Sequence, residues 1–170
     1  MKRLILTLVL ALLTAGLASA QNYMVVDSEK IFKSIPDYNT ALENIETLSE
    51  QYQQKVDAKF AEVEQLYNAY MQQRASLSEA TRQQYEQKIL DMEAQATEYQ
   101  ESLFGTDGEL MNKRIELIQP IQERVFNMIE SYSKQYGYDL VLDISANPTV
   151  LYYSTKVDFT NRIIENLKYR

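Results

Sequence analysis

The chain has 170 residues, with 17 lysines and arginines against 24 aspartates and glutamates, 13 tyrosines, and no cysteine, histidine or tryptophan. Without histidine or cysteine there is no imidazole base, no thiol nucleophile and no disulfide, which disfavours an enzyme. A net charge of −7 sets the chain against phosphate backbones, so nucleic acid is not an expected partner.

The chain opens on Met1-Lys2-Arg3, an apolar stretch over residues 4–17 and then Ala18-Ser19-Ala20. Basic start, apolar run and small-residue site read as a cleavable signal peptide over 1–20, with Gln21 as the first mature residue. The apolar run is short for a membrane span, which needs roughly 20 residues. Gln21 in place of a cysteine argues against a lipid-anchored lipoprotein. Removing Lys2 and Arg3 leaves 15 basic and 24 acidic residues, a mature charge of −9. The expected location is the periplasm, with membrane contact at most transient.

Tyr23-Met24-Val25-Val26-Asp27 reads as a short buried strand ended by a capping Asp27 or Ser28. Ile31, Phe32 and Ile35 follow at helical spacing up to a break at Pro36. From Asp37, Tyr38, Leu42, Ile45, Tyr52, Val56, Phe60, Val63, Tyr67 and Tyr70 recur at coiled-coil intervals, with Ser49 and Lys59 as polar interruptions. Ser76 with Glu79 fits a capping box for a new helix. Its stripe is Tyr85, Ile89, Met92, Ala96, Tyr99 and Leu103, and Met111, Ile115, Ile118, Val125, Ile129, Tyr132 and Tyr136 continue the pattern.

Two places fit a hairpin tip: the Leu77 region and Gly105-Thr106-Asp107-Gly108-Glu109, where Thr106 and Glu109 offer a second capping box. Arm lengths favour Leu77, because an outward helix from Asp37 to about Ala75 then spans roughly 57 Å and has a matching return. Gly105 and Gly108 become a joint in the return arm, and Pro120 a second kink. Gly137 ends the helix. Tyr138 to Ile144 alternates as a strand, Asn147-Pro148 turns, and Val150-Leu151-Tyr152-Tyr153 reads as its hairpin partner. Asp158-Phe159-Thr160 opens a last amphipathic helix with Ile163, Ile164 and Leu167 on one face. The fold class is mainly α with a small β body: a long antiparallel helical hairpin projecting from a short-stranded sheet. The hairpin occupies 37–136 with its tip near 74–80, and the body 21–36 and 137–170.

The Val25-Val26-Asp27 strand, residues Leu117 to Ile121, the block Gly137-Tyr138-Asp139-Leu140-Val141-Leu142-Asp143 and the late Asp158-Phe159-Thr160, in this order, resemble the Skp/OmpH family of periplasmic chaperones. The resemblance covers the whole mature chain. It implies a homotrimer of β bodies, with Val25, Val26, Leu140, Val141, Leu142 and Leu151 as candidates for the trimerisation body. It further implies hairpin tentacles that enclose unfolded outer-membrane proteins without ATP. The chain departs from the best-known members in charge, since those are strongly basic.

The remaining motifs are weaker. Ser131-Tyr132-Ser133-Lys134 matches Ser-x-x-Lys, but the companion motifs of that enzyme class are missing. Asp107-Gly108-Glu109 lacks the alternating oxygens of a calcium loop. No cofactor or metal is expected. The arm tyrosines fit either the seam or an adaptable apolar contact surface. On the second reading Tyr67, Tyr70, Met71, Leu77, Tyr85 and Met92 are the candidates for client binding, with Leu77 foremost as an apolar residue in an exposed turn. The function expected is an ATP-independent holdase; the alternative is a coiled-coil adaptor of the cell envelope.

Overall fold

A computed structural model describes residues 22–145 and 149–168. The segment 1–20 read as a signal peptide, Gln21, and the Asn147-Pro148 pair read as a turn lie outside the described residues. The chain is mainly helical, with a long helical hairpin and a two-stranded sheet. It divides into two units, a hairpin of Ile35–Glu123 and a base that combines 22–34 with 124–168.

In the base, β1 (Tyr23–Val26) buries Met24, Val25 and Val26 in succession. Such a continuous apolar run suits a strand covered on both faces, and it pairs in parallel with β2 (Leu140–Asp143). The register runs from Tyr23 opposite Leu140 to Val26 opposite Asp143. On its other edge β1 meets the segment at Asp158, where the Phe159 amide donates to the Val25 carbonyl at 2.9 Å. This arrangement corrects the expected hairpin: 150–153 is not a strand, and β2 takes its partner from the far end of the chain. The competitor is the deeply buried β1, which offers a drier ladder than the exposed Leu151 and Tyr152.

The short helix α1 (Ser28–Lys33) starts on Asp27, whose carboxylate accepts from the Lys30 amide at 3.0 Å. Ile31 joins the core of the base with Val125, Met128, Tyr132 and Ile163. Polar locks close the strand ends. The Asp27 amide donates to Thr160 Oγ1 at 2.9 Å, and Ser28 Oγ donates to Asp143 Oδ2 at 2.6 Å. Burial alone raises the Asp143 carboxyl, but bonds from Ser28 and Ser145 outweigh it and hold the group below its ordinary value.

In the hairpin, α2 (Pro36–Gln73) begins with proline at its first position, where the missing amide is harmless. A 3-10 turn (Arg74–Ser76) reverses the chain, and α3 (Glu79–Phe104) returns. The cap of α3 is Ser78, whose hydroxyl accepts from the Thr81 amide at 3.3 Å; Ser76 instead donates back to the Gln73 carbonyl at 2.8 Å. The helix starts at Glu79, so Ser76 stands too far back to cap it.

The buried positions of α2 are Ala41, Ile45, Tyr52, Val56, Val63 and Tyr70, facing Ile89, Ala96 and Leu103 of α3. Leu42, Phe60 and Tyr67, read from sequence as part of the seam, are exposed beside it. They sit one residue or about 100° from the true stripe, where small Ala41 rather than Leu42 fills the contact.

Between α3 and α4 (Glu109–Tyr136) lies a tight break. A Cβ at Gly105 would run into the Glu101 carbonyl oxygen, and one at Gly108 would stand 2.8 Å from the Leu103 oxygen. Both glycines are therefore required by close backbone approach. Pro120 stands inside α4. Residues 109–123 of this helix belong to the hairpin, where Ile118 packs on Ala41 and Ile45. Residues 124–136 pack within the base. Gly137, at φ 70°, ends the helix in the left-handed conformation that glycine alone adopts without strain, and the Tyr138 amide donates to the Ser133 carbonyl at 2.9 Å.

Candidate functional site

Two antiparallel helices have one mutual seam, so apolar residues flanking it remain half-covered. On α2, Phe60, Tyr67 and Met71 follow at spacings of seven and four, which places them in one row beside the seam. Across from them α3 presents Leu90. Tyr67 is 48% exposed and Leu90 57%. Two adjoining grooves run along this flank and share Tyr67 and Glu93. Their floor is the seam itself, Val63, Tyr70 and Ile89, and their rim carries Glu64, Glu86, Glu93 and Arg74.

The opposite flank differs. Its groove is lined by Lys59, Glu62, Met92, Gln95 and Tyr99, and Lys59 lies 4.0 Å from Glu62.

At the tip end of the first groove the polar groups are interlocked. Tyr70 Oη donates to Glu86 Oε1 at 2.5 Å and accepts from Arg74 Nε at 3.1 Å. The bond to the Glu86 carboxylate, with desolvation, raises the Tyr70 phenol above its usual value, while Arg74 opposes. Tyr85 stacks on Tyr70 with ring centres 5.6 Å apart and planes 16° from parallel. Arg74 is drawn into this network, 3.9 Å from Glu86. Glu64 and Glu93 form no salt bridge among the described residues.

Farther down, Tyr52 Oη donates to Glu109 Oε2 at 2.8 Å, and the Tyr52 ring meets Phe104 edge-on at 6.3 Å. That hydrogen bond, joined by desolvation, raises the Tyr52 phenol. It ties α2 to the first residue of α4, directly after the glycine break. Glu109 is thus engaged with Tyr52.

The sequence candidates separate under this geometry. Tyr67 and Met71 line the exposed flank. Tyr70 is only 3% exposed and belongs to the seam. Tyr85 is half-buried against it, and Met92 is half-buried on the other flank. Leu77 is half-buried rather than exposed, because it folds back to close the end of the Val63, Tyr70, Ile89 and Ala96 cluster. Phe60 and Leu90, exposed on the same flank, were not among those candidates. Phe60 passed as seam, and the signal for Leu90 was the doublet Ile89-Leu90, whose two side chains point about 100° apart on a helix.

In the base, Val25 and Val26 are core, Val141 and Leu142 are half-buried, and Leu140 is exposed. Leu151 and Tyr152 are 94% and 86% exposed. Among the described residues β2 pairs along one edge only. The Ser-x-x-Lys residues do not converge: Ser131 is exposed, Ser133 donates to the Ile129 carbonyl at 2.8 Å, and Lys134 pairs with Glu130 at 2.6 Å. Among the described residues no three acidic side chains gather as a metal site, and no helix is long and apolar enough to cross a membrane.

The hairpin presents apolar flanks of the kind suited to binding, and the base holds a small parallel sheet. The family described as outer membrane protein (OmpH-like) matches residues 22–167, and the chain belongs to that family. An uncharacterized protein of Aquifex aeolicus (strain VF5) is similar, 23% identical over 155 residues, which is 91% of each chain. At the level of the family, membership supports a periplasmic chaperone of outer membrane proteins and not an enzyme.

Proposed function

We propose that this protein is an ATP-independent holdase that assembles as a homotrimer and shelters unfolded outer-membrane proteins among its hairpins. The observation that carries this reading is the row Phe60, Tyr67, Met71 and Leu90, exposed along one flank of the helical pair. Such a surface gives many weak, sequence-tolerant contacts, and several of them in one enclosure retain a client that each alone would release.

The base supports assembly. Its open β2 edge, exposed Leu140 and nearly bare Leu151 and Tyr152 offer strand and apolar surface to further copies. Val25 and Val26 serve by forming the core on which that edge rests. The first 20 residues act as the export signal, and the mature protein works in the periplasm.

The test is dilution of a urea-unfolded outer-membrane barrel protein into the purified mature chain, followed by turbidity and by light scattering on a sizing column. Suppressed aggregation with three copies per client is expected. Aggregation that proceeds unchanged would overturn the holdase in favour of an envelope adaptor, and a stable monomer would remove the trimer.

A further inference from the structure

The charge of the molecule is not spread evenly. Residues 35–123 carry 17 acidic and seven basic side chains, a net −10, whereas 22–34 and 124–168 carry seven of each. All the excess negative charge therefore lies on the hairpin. At the apolar flank it is concentrated further: Arg74, the basic residue of the rim, is engaged by Glu86 and Tyr70, while among the described residues Glu64 and Glu93, beside Tyr67, form no salt bridge. On the opposite flank Lys59 offsets Glu62.

We propose that the Phe60–Tyr67–Met71–Leu90 groove selects extended or helical segments in which aromatic and aliphatic side chains alternate with lysine or arginine. The apolar residues of such a segment lie on Tyr67, Met71 and Leu90, and its cations meet Glu64 and Glu93. A segment of equal apolarity carrying carboxylates brings like charges together at the same places. The proposal rests on the chaperone reading and adds to it the chemical class of client segment and the flank that holds it.

The test uses the purified protein and three disordered fluorescent peptides of one length and one tyrosine and leucine content. Their polar positions carry lysine, serine or glutamate. Anisotropy titrations are run at about 25 mM and about 300 mM sodium chloride, where the screening length falls from roughly 20 Å to below 10 Å. The lysine peptide is expected to bind roughly tenfold more tightly than the glutamate peptide at low salt, with most of that ratio lost at high salt. The double variant Glu64→Gln, Glu93→Gln removes the ratio, and Glu62→Gln on the opposite flank keeps it. Circular dichroism confirms that the helices of each variant are intact.

Lysine and glutamate peptides that bind equally, or a ratio that survives the double variant, overturn the proposal and leave the chaperone reading standing. Failure of all three peptides at both salts overturns both. Self-association of the protein that Tyr67→Ser with Leu90→Ser abolishes would give the groove to a second copy, and the proposal falls.

Discussion

The base and the hairpin reach stability by different means. In the base, Met24, Ile31, Val125 and Ile163 are wholly buried, acidic and basic residues balance, and polar locks close the strand ends. In the hairpin the core is a single seam with solvent on both sides, and its charges repel one another. A side chain enclosed on every side leaves a cavity when shortened, whereas one in an open seam leaves a dent that water or a neighbour fills. The hairpin keeps apolar surface along its seam, whereas the base encloses a core and leaves bare only particular residues such as Leu140, Leu151 and Tyr152.

Truncations break or sharpen this contrast most directly. Ile163→Ala in the base is expected to destabilise by about 2–5 kcal/mol in urea unfolding, and Ile89→Ala in the hairpin by an amount at the lower end of that range. Equal losses would erase the distinction. Gly105→Ala, with its Cβ forced against the Glu101 carbonyl, is expected to destabilise the hairpin by about 1–3 kcal/mol, read from thermal loss of helical dichroism. No loss would mean that the break relaxes freely. Tyr52→Phe removes the bond to Glu109 and should cost about 0.5–1.5 kcal/mol, since the freed carboxylate is exposed and turns to water.

The smallest effect is expected from pH. The Asp143 carboxyl is depressed in the folded base, so its contribution is complete above its unfolded value near 4 and fades as pH falls through the lower, folded value. Asp143→Asn should flatten the acid limb of stability against pH, and an unchanged limb would assign it to other carboxylates.

Much of this architecture is legible locally. Asp27, Pro36 and Gly137 punctuate the helices where capping rules place them, and the stripe Ile89, Ala96, Leu103 is both read and observed. Two readings failed because two adjacent answers satisfied the same local rule. Ser76 and Ser78 each precede a polar residue by three, and only the turn before them decides which one caps. Leu42, Phe60 and Tyr67 keep heptad intervals beside the true seam, because a phase error of one residue preserves the period. The pairing of β1 with β2 left no local sign at all, since Tyr23 and Leu140 are 117 residues apart and Asn147-Pro148 advertises a nearer turn. At the candidate site Tyr67 and Met71 were legible by type and spacing. Phe60 and Leu90 required knowledge of where the seam itself runs, since each stands beside it.

The parallel pairing of β1 with β2 has a kinetic side. Closing a loop of more than a hundred residues to join two four-residue strands is a poor first step, because the entropy is lost before many contacts form. The hairpin alters that sequence. Once Ala41 and Ile45 pack on Ile118, the chain between them is already folded back, and the loop still to be closed shortens from over a hundred residues to roughly 35. The hairpin is then the early-formed clasp, and the sheet knits last. Pulse-labelled hydrogen exchange should find seam amides such as Val56 and Ile89 protected before those of Met24 to Val26, and the reverse order would show that the strands find each other unaided.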